Sequence, residues 1–216
     1  MGTYSVSKSF KWQGAITERV AAVCRMFGLT TDRLAEECFT RCCKLDINAG
    51  DIIYITGPSG SGKSILLREL EEHISAADRV NLADIKLPGD KTLVDCFDGD
   101  WLTSLRLLSV AGLNDCFTVL NQPCHLSAGQ QYRFRVAMAL AAGRKFVFAD
   151  EFCSGLDCIS ALVLAHGLHR FAKRSGTTFI LASSRSDIIL DLAPDALVET
   201  EQCGSAEVIY KRTRRR

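Results

Sequence analysis

A three-layer α/β domain, with a largely parallel sheet held between helices, is the fold this sequence predicts, and three observations carry it. Two short runs, 146–149 (FVFA) and 177–182 (TTFILA), are apolar on both faces and bounded by polar residues; strands buried inside a parallel sheet read this way. Between them, 159–173 has apolar residues at helical spacing and stops at Ser175-Gly176, which gives the strand, helix, strand order of a parallel crossover. Upstream, 52–56 (IIYIT) runs into a glycine-rich loop and then the helical pattern ILLRELEEHI. With 216 residues, 47% hydrophobic and 24% charged, the chain suits one well-buried domain over 1–216 and excludes disorder.

In chain order, 4–10 (YSVSKSF) alternates as a short strand. Residues 17–27 form one apolar helix face closed by Gly28, and TTDRLAEECF begins a second helix with Thr31 or Asp32 as its cap. These two make a helical insert at about 16–40. Strands at 43–47 and 52–56 flank the turn Asn48-Ala49-Gly50-Asp51. A strand at 80–85 and the turn Pro88-Gly89-Asp90 follow. Residues 92–120 are helical in pattern, broken at Asp98-Gly99-Asp100 and Gly112.

The charge balance, 26 Lys+Arg against 25 Asp+Glu, is +1 and gives the whole molecule no strong field for nucleic acid or anionic membrane. The exception is the end, 211–216 (KRTRRR), a basic tail able to touch DNA or RNA phosphates, although such tails are commonly just solvated. The longest apolar run, 136–142, is far short of the roughly 20 residues a membrane span needs, and the first residues do not form a secretory leader. A cytoplasmic location without direct membrane insertion is the expectation. The ten cysteines are scattered, without a Cys-x-x-Cys pair, so packing is the default and a zinc site is not expected. That default extends to Cys153 and Cys158.

Gly57-Pro58-Ser59-Gly60-Ser61-Gly62-Lys63-Ser64 is G-x-x-x-x-G-K-S in a strand, loop, helix setting. Glycines let backbone amides converge on phosphates, and the helix presents its positive end to them. Lys63 then reaches the β- and γ-phosphates and Ser64 ligates Mg²⁺. A plain glycine-rich turn opening a helix is the bland alternative. The strand FVFA ends in Asp150-Glu151, carboxylates at the end of a parallel strand where α/β folds bind ligands. Asp150 is a metal candidate and Glu151 a candidate to polarise the attacking water. Alone, an acid pair after a strand is usually a helix start.

Two further motifs flank that pair: Leu126-Ser127-Ala128-Gly129-Gln130 upstream and Ser154-Gly155-Leu156-Asp157 downstream. With these four in order over 57–157, the chain resembles an ABC-type ATPase nucleotide-binding domain, stand-alone and divergent. The family's LSGGQ appears as LSAGQ, and its acid pair and distal loop appear as FVFADEFCSGLD. The resemblance implies a three-layer P-loop NTPase sheet with a small antiparallel β part and a reduced α-helical subdomain, here at about 86–140. It also implies ATP and Mg²⁺ at the interface of a head-to-tail homodimer, with Ser127, Gly129 and Gln130 of one subunit facing the phosphate loop of the other. Asp157 matches the distal-loop aspartate. Phe10 and Trp12 are the candidates for the aromatic that stacks on adenine, each equally able to be a core residue.

Three departures follow from the same comparison. No glutamine follows the strand at 80–85, leaving Asp84 as the nearest polar counterpart and a possible metal contact through water. Ser183-Ser184-Arg185 stands where the family carries a switch histidine, so Ser184 is the nearest match, and hydrolysis is slow or Arg185 substitutes. Only 61 residues separate Ser64 from Leu126, which trims the part that docks transporter membrane subunits. The reading placed first is a soluble ATP-driven switch acting on a protein or nucleic-acid partner. The alternative is the ATPase subunit of a membrane transporter, and a third is an ATP sensor that barely hydrolyses. His166 and His169, spaced i, i+3, lack a third ligand and read as solvated or packed.

Overall fold

The computed structural model describes residues 2–12, 14–36, 38–201 and 206–211, and for 8–11 and 38–42 the backbone alone. Its strands are β1 Gly2–Lys11, β2 Cys38–Ile47, β3 Ile52–Thr56, β4 Arg79–Asn81, β5 Phe146–Ala149, β6 Thr178–Ala182, β7 Ala196–Glu199 and β8 Glu207–Tyr210. Its helices are α1 Glu18–Met26, α2 Thr31–Glu36, α3 Lys63–Glu72, α4 Trp101–Val110, α5 Cys116–Val119, α6 Ala128–Ala141, α7 Cys158–Ser175 and α8 Ile189–Leu192.

Six strands form one sheet in the order β4-β5-β6-β3-β7-β8, parallel except for the β7–β8 pair. The two faces explain the continuous apolar runs. On β3, Ile52 and Tyr54 enter the core shared with α4, α6 and α7, while Ile53 and Ile55 enter the core shared with α3 and the β1–β2 ribbon. Phe179 and Leu181 against Ile180 and Ala182 on β6 repeat that alternation. Each fully buried side chain of this size contributes about 1.5–3 kcal/mol, so the sheet centre is the most stabilised part of the molecule. The three layers and the α/β class are those the sequence predicts.

Helix ends follow local chemistry. The Thr17 hydroxyl accepts from Val20 N–H and starts α1; Asp100 does the same for α4, and Asp157 for α7. Gly176 ends α7 in the left-handed conformation at φ 75°. Three expectations are corrected. The cap of α2 is Thr30, whose hydroxyl accepts from Arg33 N–H, rather than Thr31 or Asp32. The strand expected at 80–85 ends at Asn81, because the Asn81 side chain accepts from Ala83 N–H and turns the chain into a single tight turn over Leu82–Asp84. The strand expected at 43–47 begins at Cys38 and pairs along its whole length with β1. Helices α1 and α2 lie in the connection between those two long strands.

The helical stretch after β4 meets the sheet layer where α4 crosses α7. A Cβ on Gly167 would stand 2.2 Å from the Val110 carbonyl oxygen, so the two backbones touch there. Of the cysteines, Cys24, Cys43 and Cys153 are buried as packing residues, while Cys158 is exposed with its thiol 3.7 Å from an Asp187 carboxylate oxygen, contrary to the packing expected of it. His169 gives its ring nitrogen to the Leu192 carbonyl at 3.0 Å and His166 is exposed, so the two do not act as a pair. The tail residues 212–216 and Cys203 lie outside the described residues.

Candidate functional site

Strand β3 delivers the loop 57–64 to the edge of the sheet, and Gly57 sets its exit. At φ 145° a Cβ there would stand 2.2 Å from the Thr200 carbonyl oxygen and 2.5 Å from its hydroxyl, which leaves only glycine. Thr200, just past the neighbouring strand β7, anchors the loop: its hydroxyl donates to Thr56 C=O at 3.0 Å and lies 2.6 Å from the buried Ser61 hydroxyl. Ser61 is therefore a buttress whose side chain is buried against Thr200. Gly62, at φ 90°, begins α3 with no side chain capping it, so the first-turn amides are available to an anion. The Lys63 ammonium bridges the Gly57 and Pro58 carbonyls, each at 2.8 Å, poised over the loop.

A cleft of about 360 Å³ brings together Ser59, Gly60, Gly62, Lys63 and Ser64 with Asp150, Glu151 and Ser184. Pro58 and Gly57 border a neighbouring cavity that Ser184 also reaches. The Asp150 carboxylate accepts from Glu151 N–H at 3.0 Å. Ser64 and Asp150 are hard oxygen donors in one cleft, a pairing that suits Mg²⁺ completed by phosphate oxygens and water. Among the described residues no three His, Cys, Asp or Glu side chains form a metal cluster.

Glu151 and Cys153 have φ of 48° and 61°, left-handed values that cost non-glycine residues on the order of 1–3 kcal/mol each. The turn is held by its surroundings. Phe152 N–H donates to Ala182 C=O at 2.8 Å, and Cys153 N–H donates to the Tyr132 phenol oxygen at 3.1 Å. Burial raises the Tyr132 hydroxyl well above its ordinary pKa, and pushes the Cys153 thiol up to about 12. Arg185 completes the frame: Nη1 donates to Cys153 C=O at 3.0 Å and Leu156 C=O at 2.6 Å, while Nε and Nη2 fork onto Asp187. The expectation that Arg185 substitutes for a switch histidine is thereby corrected; its guanidinium is committed to the distal loop. Tyr132, Thr200 and Arg185 in this role escape sequence reading, since their partners lie far away along the chain.

Other candidates stand elsewhere. Ser127 and Gln130 form a reciprocal capping box at the start of α6, and a Cβ on Gly129 would stand 3.2 Å from Leu156, so this motif abuts the distal loop without lining the cleft. Asp157 caps α7 through Ser160 N–H at 2.9 Å, and that hydrogen bond lowers its pKa. Asp84 is exposed in the turn after β4, outside the cleft lining. Trp12 is half-buried against Gly14 and also outside it, while the Phe10 side chain lies outside the described residues.

Residues 41–95 match the family model described as ABC transporter. Among curated proteins, the aliphatic sulfonates import ATP-binding protein of Mesorhizobium japonicum is 29% identical over 88% of this chain and 80% of its own length. The methionine import ATP-binding protein of Sodalis glossinidius is also 29% identical, over 67% of this chain. The chain spans 52% of that second relative's length. Among solved structures, a dimeric bacterial ABC transporter cassette superposes with a TM-score of 0.63 at 20% identity, covering 84% of this chain and 95% of that one. A dimeric cassette in a post-hydrolysis state with ADP and phosphate gives 0.63 at 19% identity, over 82% of this chain and 94% of that one.

Proposed function

Since this chain is an ABC-type ATPase domain, we propose that it binds Mg-ATP in the cleft between the phosphate loop and Asp150-Glu151 and hydrolyses it within a head-to-tail dimer. The observation that supports this best is the convergence of Lys63, Ser64, Asp150, Glu151 and Ser184 on one cleft. Lys63 leaves the loop carbonyls to neutralise phosphate charge, the α3 amides bind the same oxygens, and Glu151 takes the proton of the attacking water. Mg²⁺, held by Ser64 and Asp150, supplies charge neutralisation at the phosphates. Without a histidine at 184, γ-phosphate recognition falls to a neutral hydroxyl, and turnover is slow. In this reading Ser127 and Gly129, outside the cleft of their own subunit, would complete a partner's.

The transporter reading now precedes the soluble switch, because the relatives are named as import ATP-binding proteins. A groove of about 590 Å³ between α4 and α7 supports a docked partner segment. Leu107, Val110, Val163 and Phe171 give it an apolar lining, and Arg106, Arg170 and Arg174 a basic rim. The short middle segment keeps the soluble switch as the second reading. None of the described helices is long and apolar enough to cross a membrane. The test is size-exclusion chromatography with Mg-ATP: Glu151→Gln should run as a dimer and Lys63→Ala as a monomer that binds no nucleotide by calorimetry. A Glu151→Gln variant that stays monomeric at saturating ATP refutes the dimer. Capture of a membrane protein with that trap separates the transporter from the switch.

A further inference from the structure

We propose that Arg185 is a positioning residue: it clamps the strained turn that presents Glu151 and ties the distal loop to the stretch that contains Ser184. The inference rests on the ATPase reading above. Four of the five guanidinium N–H groups are used, two on the Cys153 and Leu156 carbonyls and two on Asp187. The residue is itself fixed, since its backbone carbonyl accepts from the Tyr54 hydroxyl at 2.6 Å and its N–H donates to the Ser183 hydroxyl at 3.3 Å.

Cys153 and Glu151, the two residues of this turn with left-handed backbone, sit on either side of Phe152. Such backbone persists only where neighbours over-determine it. The Phe152 and Cys153 amides are held by Ala182 and Tyr132, elements of the packed core. The Cys153 and Leu156 carbonyls are held by Arg185, which follows Ser184 directly. A displacement of Ser184 on meeting a γ-phosphate therefore reaches, one residue on, the group that holds the carbonyls between Glu151 and Asp157. A planar fork is needed to serve two carbonyls and a carboxylate at once, and a lysine ammonium does not supply that geometry.

The experiment uses the full chain and compares wild type with Arg185→Lys and Asp187→Asn. Arg185→Lys should lower kcat by roughly tenfold to a hundredfold, the penalty of a small misplacement of catalytic groups, with ATP affinity by calorimetry within about twofold of wild type. Hydrogen exchange over peptide 150–158 should accelerate selectively. Asp187→Asn, which loosens the fork and leaves the arginine, should move kcat the same way by less, and carries the test if Arg185→Lys does not fold. Wild-type kcat together with unchanged exchange overturns the proposal. So does a loss that falls mainly on ATP affinity, because it would place the guanidinium on phosphate. Accelerated exchange in a chain whose wild type does not turn over ATP sinks the ATPase reading while leaving the clamp intact.

Discussion

Thr200→Val tests whether the phosphate loop is buttressed from the end of the neighbouring strand β7. The substitution preserves the shape of a side chain that is 3% exposed, and removes a hydroxyl that contacts both Thr56 C=O and Ser61 Oγ. Thr56 C=O keeps the Thr200 N–H at 2.8 Å. Ser61 Oγ, in a residue with 0% exposure, is left without that partner. A buried hydroxyl stripped of its hydrogen bond costs about 1–3 kcal/mol. Taking about 2 kcal/mol, and about 2–4 °C per kcal/mol for a chain of this length, thermal unfolding should shift down by roughly 4–8 °C. Circular dichroism melts measure it directly. The double variant Ser61→Ala, Thr200→Val removes both hydroxyls, so it should melt above the sum of the two single losses, with a coupling of about 1–2 kcal/mol. A single variant within about 1 °C of wild type, or strictly additive losses, refutes the buttress.

Acid should also reveal the fork at 185–187. Arg185 hydrogen bonds hold the Asp187 carboxyl at about 2, below its ordinary 3.8. A depressed carboxyl contributes stability that is complete above the unfolded value and lost as pH falls through the folded one. Wild type should therefore lose more stability than Asp187→Asn between about pH 4 and pH 2; parallel acid titrations of the two would contradict this. Thiol chemistry gives an independent check of burial. Cys43 and Cys153 are pushed up to about 11 and about 12 by burial, whereas Cys116, Cys124 and Cys158 are exposed. Iodoacetamide at neutral pH should label the exposed set first in peptide mass spectra, and native Cys153 labelling as fast as Cys116 would be the wrong result.

What could be read from the sequence was local. The octet at 57–64, the acid pair and the two apolar strands declare themselves within a few residues, because loop geometry and burial on both faces leave short signatures. Asn81 misleads for the same reason: a β-compatible run ends early when one amide side chain bonds two residues ahead. The supports of the site are long-range. Thr200 meets Ser61 across 139 residues of chain, and Tyr54 meets Arg185 across 131. Nothing near Thr200 or Tyr54 in sequence signals those meetings, because the sheet order β6-β3-β7 creates them. Strands β7 and β8, short and mixed in polarity, left too weak a pattern to be found. Cys158 was misread because the start of α7 buries its following turns but not its first residue.

The bare backbone of Gly167 against Val110 has a mechanical meaning for the helical arm. A methyl group does not fit between the two, so α4 has no room to move closer, and sliding along α7 would drive it into the side chains on either side of the glycine. Helix α4 packs against α6 as well as α7, and Ser127 heads α6. A side chain introduced at 167 would therefore act on two neighbours of α4 at once, the helix it interrupts and the helix that Ser127 heads.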